Sequence, residues 1–312
     1  MGALLPVQAE PSPRRARLAG LAVLAGAGAG LVASGVLARR RQRLTALPSR
    51  RAARGLNGAA ALLAGSVLAD SAVEHYRAAF ENPGMIAPLA SAGAVLLIDG
   101  SGTGPRQARD AVHLLAIGIG GAGTGFHVYN ILRREGGARW LNLFYGAPIG
   151  APAALSLAGL IGLAAERIAA AEDGQSPQLL GLSAGRLLAA LLGTGIAGTV
   201  AEAWLLHFRG AFHNPFMWAP IAVPPVAAAL LGKAAAASAG DQAAARAFLI
   251  ATALLGVAGA GFHIYGVSRH MGGWRNWSQN LLDGPPIPAP PAFTALALAG
   301  LSAISLIEQD RG

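Results

Sequence analysis

Four histidines occur as two matched pairs. His75 opens the run His75-Tyr-Arg-Ala-Ala-Phe-Glu-Asn-Pro-Gly-Met85, and His207 opens His207-Phe-Arg-Gly-Ala-Phe-His-Asn-Pro-Phe-Met217. The two runs lie 132 residues apart and agree at seven of eleven positions. His127 in Gly125-Phe-His-Val-Tyr129 is matched by His263 in Gly261-Phe-His-Ile-Tyr265. Imidazole serves haem iron as an axial ligand, and it also suits non-haem iron, copper or zinc. The order is the same in both halves, and self-similarity of this kind marks a duplicated structural unit.

Other polar residues match too. Asp70 aligns with Glu202 and Arg77 with Arg209, each acid seven residues before its arginine. That spacing puts acid and base on one helix face, two turns apart. Ionisable groups inside a membrane helix are costly and face a partner or a cavity. Three roles are open for Asp70 and Glu202: pairing with arginines on neighbouring helices, orienting the histidines from behind, or relaying protons. Arg133 and Arg269 follow Tyr129 and Tyr265 at the ends of their segments. These arginines either reach the headgroups or, with Arg77, Arg209 and the two tyrosines, hold haem propionates or another anion through forked hydrogen bonds. Met85 and Met217 are core residues or soft ligands. His113, His213 and His270 have no histidine counterpart, which makes them poorer ligand candidates.

Long apolar spans must position these residues. The chain of 312 residues is 54% hydrophobic and 12% charged, with 43 glycines. Its charges cluster between apolar stretches of about 20 residues, the length that spans a bilayer. The pattern predicts an all-α integral membrane protein with about nine transmembrane helices. They fall at about 18–38, 56–80, 84–99, 108–131, 147–167, 186–211, 216–236, 245–268 and 289–307. Residues 1–17 form a polar tail, and 18–55 a first helix and basic loop. Residues 56–167 are a four-helix repeat, 168–185 a linker, and 186–312 a second four-helix repeat. Four is an even number, so the tandem repeats are parallel, related by an axis along the membrane normal. Gly118-Ile-Gly-Gly-Ala-Gly-Thr-Gly125 lies inside a span with no strand before it, so it is no dinucleotide loop.

Arg39-Arg40-Arg41-Gln-Arg43 and Arg50-Arg51-Ala-Ala-Arg54 place 39–54 in the cytoplasm of a bacterial-type inner membrane. The helices bearing the four histidines then run outward, and at 1.5 Å per residue each histidine lies roughly 25–30 Å from the inner end. All five tryptophans and all four tyrosines map to that outer half. Basic loops anchoring the other side would account for this, and so would a ligand pocket or a docking surface.

The net charge of +9 is explained by the loop arginines, so nucleic acid is not a partner; the lipid bilayer is. With no cysteine, iron–sulfur clusters and thiolate zinc sites are excluded. Four functions remain. A b-type haem held by His75 with His127 and by His207 with His263, or pairs crossing between repeats, would make an electron-transfer subunit serving a quinone and a periplasmic partner. The same histidines with Asp70, Glu202 or Glu74 would make a non-haem metal enzyme. A proton-coupled transporter and a membrane anchor complete the set. Paired histidines on alternate helices resemble the multihelix b-type cytochromes. The resemblance implies axial haem ligation, while histidines at a single level imply electron exchange confined to the outer face.

Overall fold

The computed structural model describes residues 48–171, 175–236 and 242–310. The expected tail 1–17, the first span 18–38 and the basic loop as far as residue 47 lie outside the described residues. Within them, eight helices are long and apolar enough to cross a membrane. The first half contains α1 (Pro48–Arg77), α2 (Ala87–Ser101), α3 (Arg106–Leu132), the short α4 (Trp140–Phe144) and α5 (Gly150–Ala169). The second contains α6 (Ala184–Arg209), α7 (Ala219–Ala236), α8 (Ala243–Arg269), the short α9 (Trp277–Asp283) and α10 (Pro291–Gln309). Single 3-10 turns precede α2, α7 and α9.

In each half the four long helices close a ring: α1 packs on α2, α2 on α3, α3 on α5 and α5 on α1, and likewise α6, α7, α8 and α10. Packing of α1 along α10, and a looser contact of α5 with α6, joins the halves. This arrangement makes α1 and α10 the most enclosed helices, whereas α3 and α8 present most of their surface outward.

Small residues set these distances. A Cβ at Gly120 would stand 2.5 Å from the Ser156 nitrogen and 2.6 Å from the Pro152 oxygen. In the second half, a Cβ at Gly256 would stand 2.7 Å from the Thr294 nitrogen and 2.8 Å from the Pro290 oxygen. At those crossings Ser156 donates to the Ile117 carbonyl at 2.9 Å, and Thr294 to the Ala253 carbonyl at 2.8 Å. Close backbone approach with a hydroxyl hydrogen bond is how helices adhere where lipid removes any hydrophobic drive between them.

Three elements depart from the sequence expectation. Arg50, Arg51 and Arg54, expected in a loop, lie on the first two turns of α1, because Ala52 and Ala53 between them and Leu56 just beyond are buried in the bundle. The short α4 and α9 escape a reading based on span length. The linker carries a two-residue hairpin, Gln178–Leu179 with Leu182–Ser183, whose turn residues Leu180 and Gly181 both have positive φ (53° and 76°). Two such residues make the tight turn that matches strand twist.

Candidate functional site

The histidines sit where α1, α3, α6 and α8 end. The chain leaves α1 through a Schellman motif: the Phe80 amide donates to the His75 carbonyl (2.9 Å) and the Ala79 amide to the Tyr76 carbonyl (2.9 Å). The end of α6 repeats it, with Phe212 to His207 (3.1 Å) and Ala211 to Phe208 (2.9 Å). The motif needs left-handed backbone, yet no glycine provides it. Ala79, Phe80, Ala211 and Phe212 have φ of 53°, 50°, 54° and 46°. Left-handed backbone costs an ordinary L-residue roughly 1–2 kcal/mol. Phe80 recovers part of this by setting its ring edge against the His75 ring (centroids 6.2 Å apart), as Phe212 does against His207 (6.1 Å).

The next residues fold back as a capped turn. Asn82 Oδ1 accepts the Gly84 amide at 2.8 Å, and Asn214 Oδ1 accepts the Phe216 amide at 3.0 Å. Proline follows each asparagine and starts a 3-10 turn, for which its fixed φ is suited. The turn aims the Met85 carbonyl at His75 and the Met217 carbonyl at His207. The His75 Nδ1 lies 2.7 Å from the first and the His207 Nδ1 2.8 Å from the second.

His127 and His263 are held the same way from another loop. The His127 Nδ1 lies 2.5 Å from the Pro148 carbonyl, and the His263 Nδ1 lies 2.6 Å from the Pro286 carbonyl. Asn142 binds that loop's approach by donating to the Gly137 carbonyl at 2.8 Å, and Asn280 does so at Gly273 at 2.9 Å. A carbonyl only accepts, so all four Nδ1 atoms carry the proton. Each ring therefore keeps its bare lone pair on Nε2. This is the state of a histidine that binds a metal through Nε2 while a backbone carbonyl fixes its tautomer and orientation. All four rings are half-buried.

His127 is among the groups that act electrostatically on His75, and His207 is among those that act on His263. The matched arginines have local partners. Arg77 pairs with Glu74 at 2.8 Å, and Arg209 donates to the Leu143 and Gly146 carbonyls at 3.1 and 3.4 Å. Arg133 lies over the Tyr129 ring, and Arg269 lies over Tyr265 and donates to its hydroxyl at 3.0 Å. Arg133 and Arg269 are exposed beside the histidine pairs.

Glu202 and Asp70 come near each other but do different things. Glu202 accepts the Gly150 amide at 2.8 Å and so caps α5 of the other half, placing negative charge at a helix N-terminus. The position matching Gly150 is Pro288, which has no amide, so Asp70 gains no such bond. Among the described residues neither acid is hydrogen-bonded to a histidine, and no three histidine, aspartate or glutamate side chains converge as a metal's donor set. Each half has two imidazoles held by backbone carbonyls.

Around this end Trp140, Phe144, Trp204 and Phe208 form one aromatic cluster, with Trp204 and Phe208 stacked at 5.4 Å and Arg209 over Phe144. An open apolar groove of about 740 Å³ runs between α6 and α7 along Gly193, Ala197, Pro225, Ala228 and Gly232.

Sequence reasoning missed the asparagines. Asn82 and Asn214 stand in the matched runs beside prolines that drew the attention, and Asn142 and Asn280 recur in the pattern Asn-Leu-x-x-Gly. It also passed over His113, which is fully buried and joined to Asp99, Arg109 and Glu166.

The fold and the site define an all-α chain of the multi-pass membrane class. No protein-family model, curated protein or solved structure matches it.

Proposed function

We propose that the chain is an electron-transfer subunit of a bacterial inner membrane, two parallel four-helix repeats in which each histidine pair holds a b-type haem. One observation carries this reading: four matched histidines each donate Nδ1–H to a backbone carbonyl and keep Nε2 free. Axial ligation needs that tautomer, and two such rings per half are the required number. The bound haem supplies one-electron chemistry. The chain's part is to hold the rings, keep the site partly buried and offer Arg133 and Arg269 to anionic groups. The arginine-rich segment 39–54 sets the cytoplasmic side, which turns the histidine end and its aromatic cluster outward. Electron exchange with a quinone or a periplasmic partner then takes place at that face.

The test is a visible spectrum of the protein purified in mild detergent, oxidised and dithionite-reduced, with metal analysis of the same sample. A Soret band and a reduced α-band that weaken in His75→Ala and His127→Ala support the reading. A colourless sample with stoichiometric iron, copper or zinc replaces it with a non-haem metal site. A colourless, metal-free sample made with haem and metals supplied rejects both and leaves transport or anchoring.

A further inference from the structure

At the opposite end of the first half, four ionisable side chains from three helices meet inside the bundle. Asp99 ends α2, Arg109 and His113 lie on α3, and Glu166 lies on α5. The His113 and Asp99 side chains are 0% exposed, Arg109 7% and Glu166 12%. His113 Nε2 lies 3.1 Å from both Asp99 oxygens. Arg109 stands 3.6 Å from Asp99, donates from Nε to Glu166 at 2.8 Å and forms a second, shorter bond to the same oxygen. Its other nitrogen donates to the Ile98 carbonyl at 3.1 Å and the Thr103 carbonyl at 3.4 Å. Gly162 makes the room: a Cβ there would strike the His113 ring and come within 2.9 Å of Asp99 Oδ2.

Among the described residues, the second half has no such buried cluster. By the offsets that align the matched sequence runs, Asp99, Arg109, His113 and Glu166 correspond to Leu231, Ala245, Leu249 and Ile304, all buried and apolar. Gly300 takes the place of Gly162, and a Cβ there would meet Leu249 and Leu231 instead. The fold therefore packs well without the charges. A buried ionic cluster is weak support for stability, since apolar residues of similar volume do as well or better. Charges inside a membrane helix bundle mark a function by default.

Charge and hydrogen-bond counting show which function. Two carboxylates and one guanidinium leave the cluster one negative charge in excess, and one proton brings it to zero. Asp99 oxygens accept, so His113 Nε2 carries a hydrogen and the variable position is Nδ1. That atom is buried and has no partner. The turn that Arg109 ties down, residues 102–105, is exposed. Among the described residues of the first half, the other charged groups at this end are Arg106, Asp110 and Arg167, which pair among themselves, and Arg50, Arg51 and Arg54 on the first turns of α1, which are exposed. None of them is buried in the cluster.

We infer that Asp99 and His113, framed by Arg109 and Glu166, form a one-proton binding site that exchanges with water through the 102–105 turn. The proton arrives from water at that turn, binds His113 Nδ1 and leaves the same way, with no other bond made or broken. This inference does not depend on the haem reading.

Nitrogen NMR of the full chain in lipid bilayers, labelled with ¹⁵N-histidine, tests it. The His113 signal is assigned by its loss in His113→Gln. The expected result is that the Nδ1 signal shows both bare and protonated forms as the pH is varied across the range in which the chain stays folded, with Nε2 protonated throughout. Glu166→Gln removes the excess negative charge without changing shape, so the transition moves to lower pH by about one unit, a tenfold change in proton affinity. A graft of the second half's residues, Asp99→Leu with Arg109→Ala, His113→Leu and Glu166→Ile, folds and binds no proton at this position. An Nδ1 that keeps one state across the range overturns the inference, and so does a transition that Glu166→Gln leaves unmoved.

Discussion

Replacing Ala211 by glycine tests the scaffold that positions the histidines. Ala211 has φ 54° in the turn that releases the chain from α6 and directs the Met217 carbonyl back to His207. A left-handed alanine costs about 1–2 kcal/mol that glycine does not. Glycine returns about 0.4–1 kcal/mol of this, because its unfolded chain has more conformations to lose. The net expectation for Ala211→Gly is a gain of about 0.5–1 kcal/mol. Ala201, ten residues earlier, is an exposed residue in the interior of the same helix. There the identical chemical change costs about 1 kcal/mol, the ordinary helix penalty of glycine. The two variants differ by one methyl group each and have opposite signs. Ala79→Gly at φ 53° repeats the experiment in the first half, and with Ala211→Gly the gains add, since the two turns share no partner. Equilibrium unfolding of the purified full chain in mixed detergent micelles reads the difference. Equal destabilisation by Ala211→Gly and Ala201→Gly would refute the left-handed turn, and with it the account of how the carbonyls reach the rings.

Three further outcomes follow from named contacts. Asn82→Ala removes the acceptor for the Gly84 amide, a loss of about 1 kcal/mol; if all of it falls on the orientation of His75, haem titration of the first half shows roughly fivefold weaker binding, whereas Asn82→Asp keeps the acceptor and the affinity. Glu202→Leu strands the Gly150 amide and lowers unfolding free energy by about 1–3 kcal/mol, while Glu202→Gln, which still accepts, loses less than half of that; equal losses would mean that the charge and not the hydrogen bond holds α5. Gly120→Ala drives a methyl group into the Ser156 and Pro152 backbone and costs about 1–3 kcal/mol, but Gly121→Ala, where a Cβ meets nothing within 4 Å, is neutral or stabilising by the same unfolding measurement.

The asymmetry between halves has a physical reading. The matched runs share the loops that hold the histidines, down to the asparagine caps and the left-handed alanines. The two halves do not share the opposite end, where one half has a charged cluster and the other a packed apolar one. A position common to both halves serves a need that both share; the cluster serves one that only the first half has.

An all-α chain of long apolar helices, and matched positions for the four histidines near the ends of α1, α3, α6 and α8, were legible in the sequence. Apolar length, proline breaks and the internal match are local or one-dimensional signals, and the bilayer turns length directly into architecture. The loop geometry was not legible. That Met85 and Pro148 face His75 and His127 with their carbonyls depends on where two chain reversals end, and nothing about a methionine or a proline residue announces that its carbonyl is an acceptor. Glu202 illustrates the same limit. Its place in a span suggested an arginine partner on a neighbouring helix or a role behind the histidines, but its hydrogen bond is to the Gly150 amide, across the boundary between halves. Asp99 and His113 look like isolated polar residues at span ends when read in order. Only packing of α2, α3 and α5 around Gly162 brings them into contact, because a contact between residues far apart in sequence is decided by which helix faces meet and not by what either residue is.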